Sequence, residues 1–401
     1  MVVGSANLIS QADILDHQPT TEDTSDVGIF RPKRVLLLCK TSRLDYEHKK
    51  YADLSEEQFR SVVSFMNQKG SNYERMRRKH MLQQIYFVRL RTVLKSKGIE
   101  VRAVKMEDYT DEAVAWADAV FTAGGDGTFL IAASKVRDHK PVIGFNTDPI
   151  GSEGHLCITR KANLPINDVI NKLLSGQFSF TWRQRIRVSV LKWAENRATV
   201  SENEEEMTEK SDELRNASLY GDTNTFDPKV PVLALNDVFV GESHAARVST
   251  YEIQIDDGAV LKQKSSGLVV STGTGSTSWN YNINRIFEQD VNDLMRIMSS
   301  LGARFNDTSK TFTRQVCQRF NEKLIFSPQS QLLAYSVREP LVNATYPENI
   351  KRGFASRIWI RSCCSDAQLI LDGGFSIPFN YGTEILLEIH KEDSLCTVML
   401  V

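Results

Sequence analysis

Ala119-Val120-Phe121-Thr122-Ala123-Gly124-Gly125-Asp126-Gly127-Thr128 is the stretch whose reading decides the fold. Residues suited to a buried strand run directly into a glycine loop, and Phe129 to Val136 then carries helical spacing. Glycines at such a junction let backbone N–H groups approach phosphate oxygens with no side chain in the way. The start of the following helix adds partial positive charge. The same residues also fit a tight strand-to-helix turn with Asp126 as N-cap. The Lys-Ser/Thr ending of a Walker loop is absent, which excludes a P-loop hydrolase.

Working outward, Val35 to Cys39 is an apolar run of the kind a fully buried strand shows. Helical spacing extends from Ser55 to Lys97, with Ile85, Val88, Leu90 and Leu94 as examples, and Gly98 supplies a stop. Val101 and Val104 mark a second strand and Pro141 to Phe145 a fourth. Strands alternating with helices predict a parallel α/β sheet over roughly residues 32 to 160. Beyond about residue 180 the period becomes two, first in Arg185 to Leu191. It recurs near 232–240, 247–255, 357–361 and 384–390, several bounded by Asp-Gly or Gly-Gly turns. The predicted organisation is a leader over 1–31, an α/β domain over 32–165 and a β-rich domain over 166–383. C-terminal strands over 384–401 return to the first domain. The β-rich part carries an acidic loop at about 195–228 and a helical insertion at about 289–326.

The 401 residues hold 49 basic and 50 acidic side chains, so no global field recruits nucleic acid or an anionic membrane. No apolar stretch reaches the eighteen or so residues that a membrane span needs. Six scattered cysteines lack metal-ligand spacing and read as free thiols in a reducing compartment. The first thirty residues contain no Lys or Arg but carry Asp13, Asp16, Glu22, Asp23 and Asp26, the pattern of a disordered acidic leader rather than a presequence.

Two further features carry chemistry. Ser271-Thr272-Gly273-Thr274-Gly275-Ser276-Thr277-Ser278-Trp279 follows the apolar run Leu268 to Val270 and weakly imitates a dinucleotide fingerprint. Its hydroxyls and terminal tryptophan suit hydrogen bonding and stacking on a nucleotide, or a Ser/Thr-rich turn with a core tryptophan. Asn236-Asp237 interrupts the apolar run Ala234 to Val240. Such a pair needs protein, water or ligand partners if buried, whereas an edge strand would expose it to water.

In combination and in this order, the three motifs resemble the NAD kinase family over roughly residues 32 to 395. The family carries a Gly-Gly-Asp-Gly loop, an Asn-Glu pair and a Thr-x-x-Gly-Ser-Thr-Ala-Tyr loop. Asn146-Thr147-Asp148-Pro149, Ser152 to Leu156, Lys264 to Gly267 and the helical insertion are similar to its mitochondrial animal branch.

The resemblance implies an α/β Rossmann-like N-terminal domain and a β-rich, NAD-binding C-terminal domain, the NAD kinase and diacylglycerol kinase-like fold. It implies an NAD+ kinase that phosphorylates the 2′-hydroxyl of the adenosine ribose. Asp126 then faces that hydroxyl, while Gly124, Gly125, Gly127 and Thr128 lie near the ATP phosphates. Asn146, His155, Asn236, Asp237, Ser266, Thr274, Gly275, Ser276, Thr277, Ser278 and Trp279 are the implied NAD contacts. Asp237 stands in place of Glu, Ser266 in place of Asp and Trp279 in place of Tyr. With no cluster of Lys and Arg near the glycine loop in sequence, Mg²⁺ is expected to bridge the donor phosphates. The resemblance further implies a homodimer or homotetramer and a mitochondrial location, with the cytoplasm as the alternative that the acidic leader supports. Two other functions share parts of the pattern: a non-catalytic NAD(P) sensor, and a lipid kinase of the diacylglycerol kinase-like group.

Overall fold

The computed structural model describes residues 30–67, 73–149, 151, 153–159, 164–193, 227–244, 246–344, 346 and 351–401. Nearly all of the expected acidic leader and acidic loop lies outside the described residues. Over the described residues the chain divides into two compact units, one formed by residues 30–182 with Leu395–Val401 and the other by Arg183–Ser394.

In the first unit, β1 (Arg34–Cys39) leads into α1 (Arg43–Lys50), α2 (Glu56–Asn67) and α3 (Tyr73–Ser96). Next come β2 (Glu100–Val104), α4 (Asp111–Trp116), β3 (Ala119–Gly124), α5 (Asp126–Lys135) and β4 (Val142–Asn146), then α6 (Ile166–Leu174) and β5 (Phe178–Arg183). The four strands β2-β1-β3-β4 pair in parallel in that order. Every residue of β3 and β4 is buried, which is why these strands read as unbroken apolar runs: a parallel sheet is covered on both faces. One side of the core packs Phe121 against Phe145, the rings tilted at 35°, and receives Leu90 and Leu94 of α3 with Val169, Ile170 and Leu173 of α6.

In the second unit the order is β6 (Ile186–Lys192), β7 (Val232–Ala234), β8 (Asp237–Glu242), β9 (Ser249–Ile255), β10 (Leu261–Ser265) and β11 (Gly267–Ser271). Three helices follow, α7 (Trp279–Asn284), α8 (Glu288–Ser300) and α9 (Lys310–Glu322). The strands then resume as β12 (Leu333–Arg338), β13 (Arg352–Ala355), β14 (Arg357–Ser362), β15 (Ala367–Leu371), β16 (Phe375–Pro378) and β17 (Glu384–Ile389). Two six-stranded sheets result, β10-β9-β14-β17-β6-β7 and β13-β12-β11-β8-β15-β16. Alternate residues of both, such as Ile358 and Ile360 from one and Val238 and Val240 from the other, fill one shared core. The fold is therefore a parallel α/β unit followed by a β-rich one.

Three expectations differ in detail. The crossing between units falls at Trp182/Arg183 rather than at 165/166, because α6 buries an apolar face on the first core and β5 pairs with a strand from the chain's end. That strand, β18 (Leu395–Leu400), returns to the first unit, where Thr397 Oγ1 donates to the Thr181 carbonyl at 3.0 Å. Over 384–401 the return is thus partial: β17 stays in the second unit, paired with β6 and β14. Finally, the expected single strand Ala234 to Val240 is two. β7 pairs with β6 in one sheet, β8 with β11 and β15 in the other, and Leu235-Asn236 makes the crossing.

Candidate active site

The first group of candidates gathers at the C-terminal edge of the parallel sheet, where α/β folds place ligands. Gly124 ends β3 and lies opposite Asn146, the last residue of β4. The helix starts at Asp126, three residues earlier than its apolar spacing suggested, and Gly125 is the N-cap residue without a side-chain cap. Asp126 is therefore not an N-cap. Its half-buried carboxylate instead accepts hydrogen bonds from the backbone N–H of His155 at 3.0 Å and of Leu156 at 2.8 Å.

The glycines of this loop have different reasons. A Cβ on Gly124 would collide with the Thr128 side chain and come within 3.1 Å of Lys40 Cβ, so packing requires glycine there. Around Gly127 nothing lies within 4 Å of an added Cβ, and its φ is not left-handed. Alanine would fit and would favour the helix by up to about 1 kcal/mol. Nothing in the fold calls for this glycine.

The loop that holds Asp126 is itself anchored. Ile158 N–H donates to the Gly144 carbonyl at 2.8 Å, and Asn146 N–H donates to Thr159 Oγ1 at 2.9 Å. The Asn146 side chain is buried and its Oδ1 accepts from Asp148 N–H at 3.0 Å. Cys157 packs beneath Gly144, and burial pushes its thiol up to about 12, so it remains protonated and inert.

The second group surrounds the sheet crossing in the second unit. Asp372 and Gly373 form the turn between β15 and β16, both left-handed, with φ of 51° and 68°. From there the Asp372 carboxylate accepts the backbone N–H of Leu235 at 2.8 Å, Asn236 at 2.7 Å and Asp237 at 3.2 Å. The next loop binds the same crossing: Thr272 N–H donates to the Asn236 carbonyl at 2.9 Å and Thr272 Oγ1 to the Leu235 carbonyl at 2.6 Å. A Cβ on Gly275 would strike the Asn236 carbonyl. Asn236, Asp237 and the Thr272 to Trp279 loop are thus brought together.

Two polar groups stay uncommitted in this knot. The Asn236 Oδ1 is buried with no hydrogen-bond partner among the described residues, a costly arrangement unless something else donates to it. Burial pushes the Asp237 carboxyl up to about 7, and the neighbouring Asp372 charge adds to the rise. Burial also raises Asp372, although its three N–H donors oppose that.

The remaining loop residues divide between framework and surface. Ser276 is fully buried and its Oγ donates to the Gly273 carbonyl at 2.6 Å, so its hydroxyl belongs to the fold. Thr274 Oγ1 accepts from Arg183 at 3.3 Å, Thr277 Oγ1 donates to the Thr274 carbonyl at 3.4 Å and Ser278 N–H to the Gly275 carbonyl at 2.9 Å. Trp279 is 38% exposed, with its ring 5.1 Å from Phe239 and the Arg338 guanidinium 5.4 Å from its centroid. Ser266 Oγ donates to Glu339 Oε2 at 2.5 Å, and Glu339 has a left-handed φ of 46°. A carboxylate therefore stands beside Ser266 after all, supplied from the end of β12.

Sequence reading missed Asp372 and Glu339 as participants. The Asp-Gly turn was visible, but its hydrogen bonds reach 135 to 137 residues back along the chain. No local signal marks Glu339.

The family model for the ATP-NAD kinase N-terminal domain matches residues 35–178. The protein named NAD kinase 2, mitochondrial, of Rattus norvegicus is 41% identical over 386 residues, spanning 93% of this chain and 89% of the relative. Its Homo sapiens counterpart is 40% identical over 380 residues, spanning 93% and 85%. A solved NAD kinase from Archaeoglobus fulgidus, in complex with ATP, aligns over 92% of this chain and 93% of its own at 15% identity, with a TM-score of 0.49.

The raised Asp237 carboxyl yields a prediction with a definite sign. Unfolded, it titrates near the ordinary value of about 3.9, so between there and 7 the folded chain binds more protons than the unfolded one. Its contribution to stability is full below about 4 and is lost as pH rises through 7. Thermal melting from pH 5 to 8 should therefore show Asp237→Asn losing less stability over the rise than the wild type. An equally steep fall in the variant would place the titration on another group.

Proposed function

The chain belongs to the NAD kinase family, and from that premise we propose that Asp126 orients the acceptor hydroxyl and takes its proton. The enzyme is an NAD+ kinase: it moves the terminal phosphoryl group of ATP to the 2′-hydroxyl of the adenosine ribose of NAD, giving NADP and ADP. Family membership sets aside the lipid-kinase and sensor readings.

The observation that carries the assignment is the fixing of Asp126. Its place at the first position of α5 and its two backbone donors hold both carboxylate oxygens, yet each oxygen retains acceptor capacity. Phosphoryl transfer has a loose transition state in most analyses, so holding the hydroxyl in line matters more than early deprotonation. A carboxylate fixed from behind by N–H groups suits that task. Gly124, Gly125, Gly127 and Thr128 present the loop and helix start to the donor phosphates, and the open space at Gly127 is what a closely approaching phosphate needs.

For NAD, the proposed contacts are the unpaired Asn236 Oδ1, the Asp237 carboxyl, the Thr274 to Ser278 backbone, the hydroxyls of Thr274, Thr277 and Ser278, and the exposed part of Trp279, with Ser276 holding the loop from within. Ser266 is proposed to act together with Glu339. Asn146 and His155 are proposed to contribute through the loop that holds Asp126, since the Asn146 side chain is already bonded and His155 gives its N–H to the carboxylate. Mg²⁺ is proposed to arrive with ATP. Among the described residues no group of three or more His, Cys, Asp and Glu could hold a metal ion. Arriving with ATP, the cation neutralises donor charge.

A mitochondrial location is proposed from the names of the rat and human relatives. A homodimer or homotetramer is proposed as well. It would cover the exposed Leu294, Ile297, Met298 and Leu301 on and just beyond α8.

Asp126→Asn is expected to lower kcat by about 10²–10⁴-fold while NAD binding persists, measured by coupled NADP detection and calorimetry. A kcat near that of the wild type would remove Asp126 from the chemistry. Gly127→Ala should melt no lower than the wild type and raise the KM for ATP by about tenfold; an unchanged KM would mean that no phosphate approaches this residue. Chelation of divalent cations should stop turnover, reversibly with added Mg²⁺, and leave the melting temperature in place. A lowered melting temperature would point to a resident structural metal.

A further inference from the structure

The solvent face of α3 is apolar where a surface helix is normally polar. Leu90 and Leu94 fill the first core, yet Met81, Leu82, Ile85 and Val88, at the helical spacing of the opposite face, are each between 46% and 57% exposed. Four large side chains in one row form a patch that a monomeric surface rarely leaves open. Cations surround it. Arg77, Arg78 and Arg89 are exposed, and their side chains make no ion pair or hydrogen bond among the described residues. Across its 24 residues α3 carries a single acidic side chain, Glu74. The occupant that fits is therefore apolar and anionic. A second copy of the same face would set cation against cation.

The chain carries its own complement. Residues 1–29 hold Asp13, Asp16, Glu22, Asp23 and Asp26 with no Lys or Arg, and include the apolar pairs Leu8-Ile9 and Ile14-Leu15. They enter the described structure beside this helix: Phe30 is buried in the same core as Leu90 and Leu94, against Phe121 and Phe178. At 1.5 Å per residue α3 is about 36 Å long, and a leader of this size reaches about 95 Å when extended, so the whole face is within range. Tethering at Phe30 holds the leader at an effective concentration of about millimolar, where weak contacts suffice.

We propose that residues 1–29 dock on the solvent face of α3, their apolar residues over Met81, Leu82, Ile85 and Val88 and their carboxylates against Arg77, Arg78 and Arg89. An anionic lipid surface would match the same charge, but it lacks the tether. The acidic composition of the leader then has a purpose within the fold: it neutralises a helix that has almost no acids of its own.

Photo-crosslinking within the full chain tests this. Benzoylphenylalanine replaces Ile85, or Met81 should the first variant not fold, and replaces the exposed Asp138 beyond the end of α5 as the control for chance collision. The first Lys or Arg of the chain is Arg31, so trypsin releases the leader whole. Irradiation is expected to join the α3 peptide to the leader peptide in a product of single-chain size, in higher yield than from position 138. Arg78→Glu with Arg89→Glu should lower that yield about tenfold, and Asp13→Lys with Asp16→Lys in the same chain should restore it. A product of dimer size would assign the face to a second copy. A product lost on adding phosphatidylglycerol vesicles, with the protein floating on them, would assign it to lipid. Either result overturns the proposal, as does a yield no higher than that of the control or unmoved by the charge reversals.

Discussion

A carboxylate that accepts three backbone N–H groups holds the point where the chain leaves one sheet of the β-rich unit for the other. Without Asp372, the N–H groups of Leu235, Asn236 and Asp237 would be buried in a bend that belongs to neither ladder. Each such orphan costs roughly 1–3 kcal/mol. The acceptor also fixes where the neighbouring side chains go, since Thr272 and Gly275 pack against the carbonyls of the same bend. A folding requirement and the placement of the proposed NAD contacts are met by one side chain.

The first unit uses the same device with a different outcome. Asp126 also accepts two backbone N–H groups, but at the half-buried start of a helix where its remaining lone pairs can face a substrate. Asp372 is half-buried too, but it gives its two oxygens to three backbone N–H groups. Two half-buried carboxylates with similar donors thus differ in how much acceptor capacity they keep, Asp372 serving three N–H groups and Asp126 two. Asp237 lacks such donors, and its carboxyl is pushed up to about 7 by burial first and by the neighbouring Asp372 charge second.

How much of this was legible in the sequence follows from the range of each interaction. The strands β1, β3 and β4 were readable because burial on both faces demands continuous apolar runs, and the glycine loop because its residues are adjacent. The sheet crossing at Leu235-Asn236 was not, since β7 and β8 share one apolar pattern and only their partners differ. The paired polar residues were the trace of it: strands tolerate them poorly, whereas a bend with an external acceptor can satisfy their backbone. Ser266 reads as a lost carboxylate until Glu339 is seen beside it, a contact 73 residues distant.

Charge shows the same separation between local and assembled information. Counting side chains yields near neutrality, and scanning near residue 124 yields no basic cluster, yet folding places Lys40 at the end of the strand next to β3. In a parallel sheet every strand ends on the same edge, so the loops after β1, β3 and β4 converge whatever their separation along the chain. The loop after β1 thus brings Lys40 beside the glycine loop that follows β3. The glycines keep the second loop free of side chains, while the first supplies the charge. Neither loop alone has both properties, which is why the glycine motif by itself could not distinguish a phosphate site from a turn.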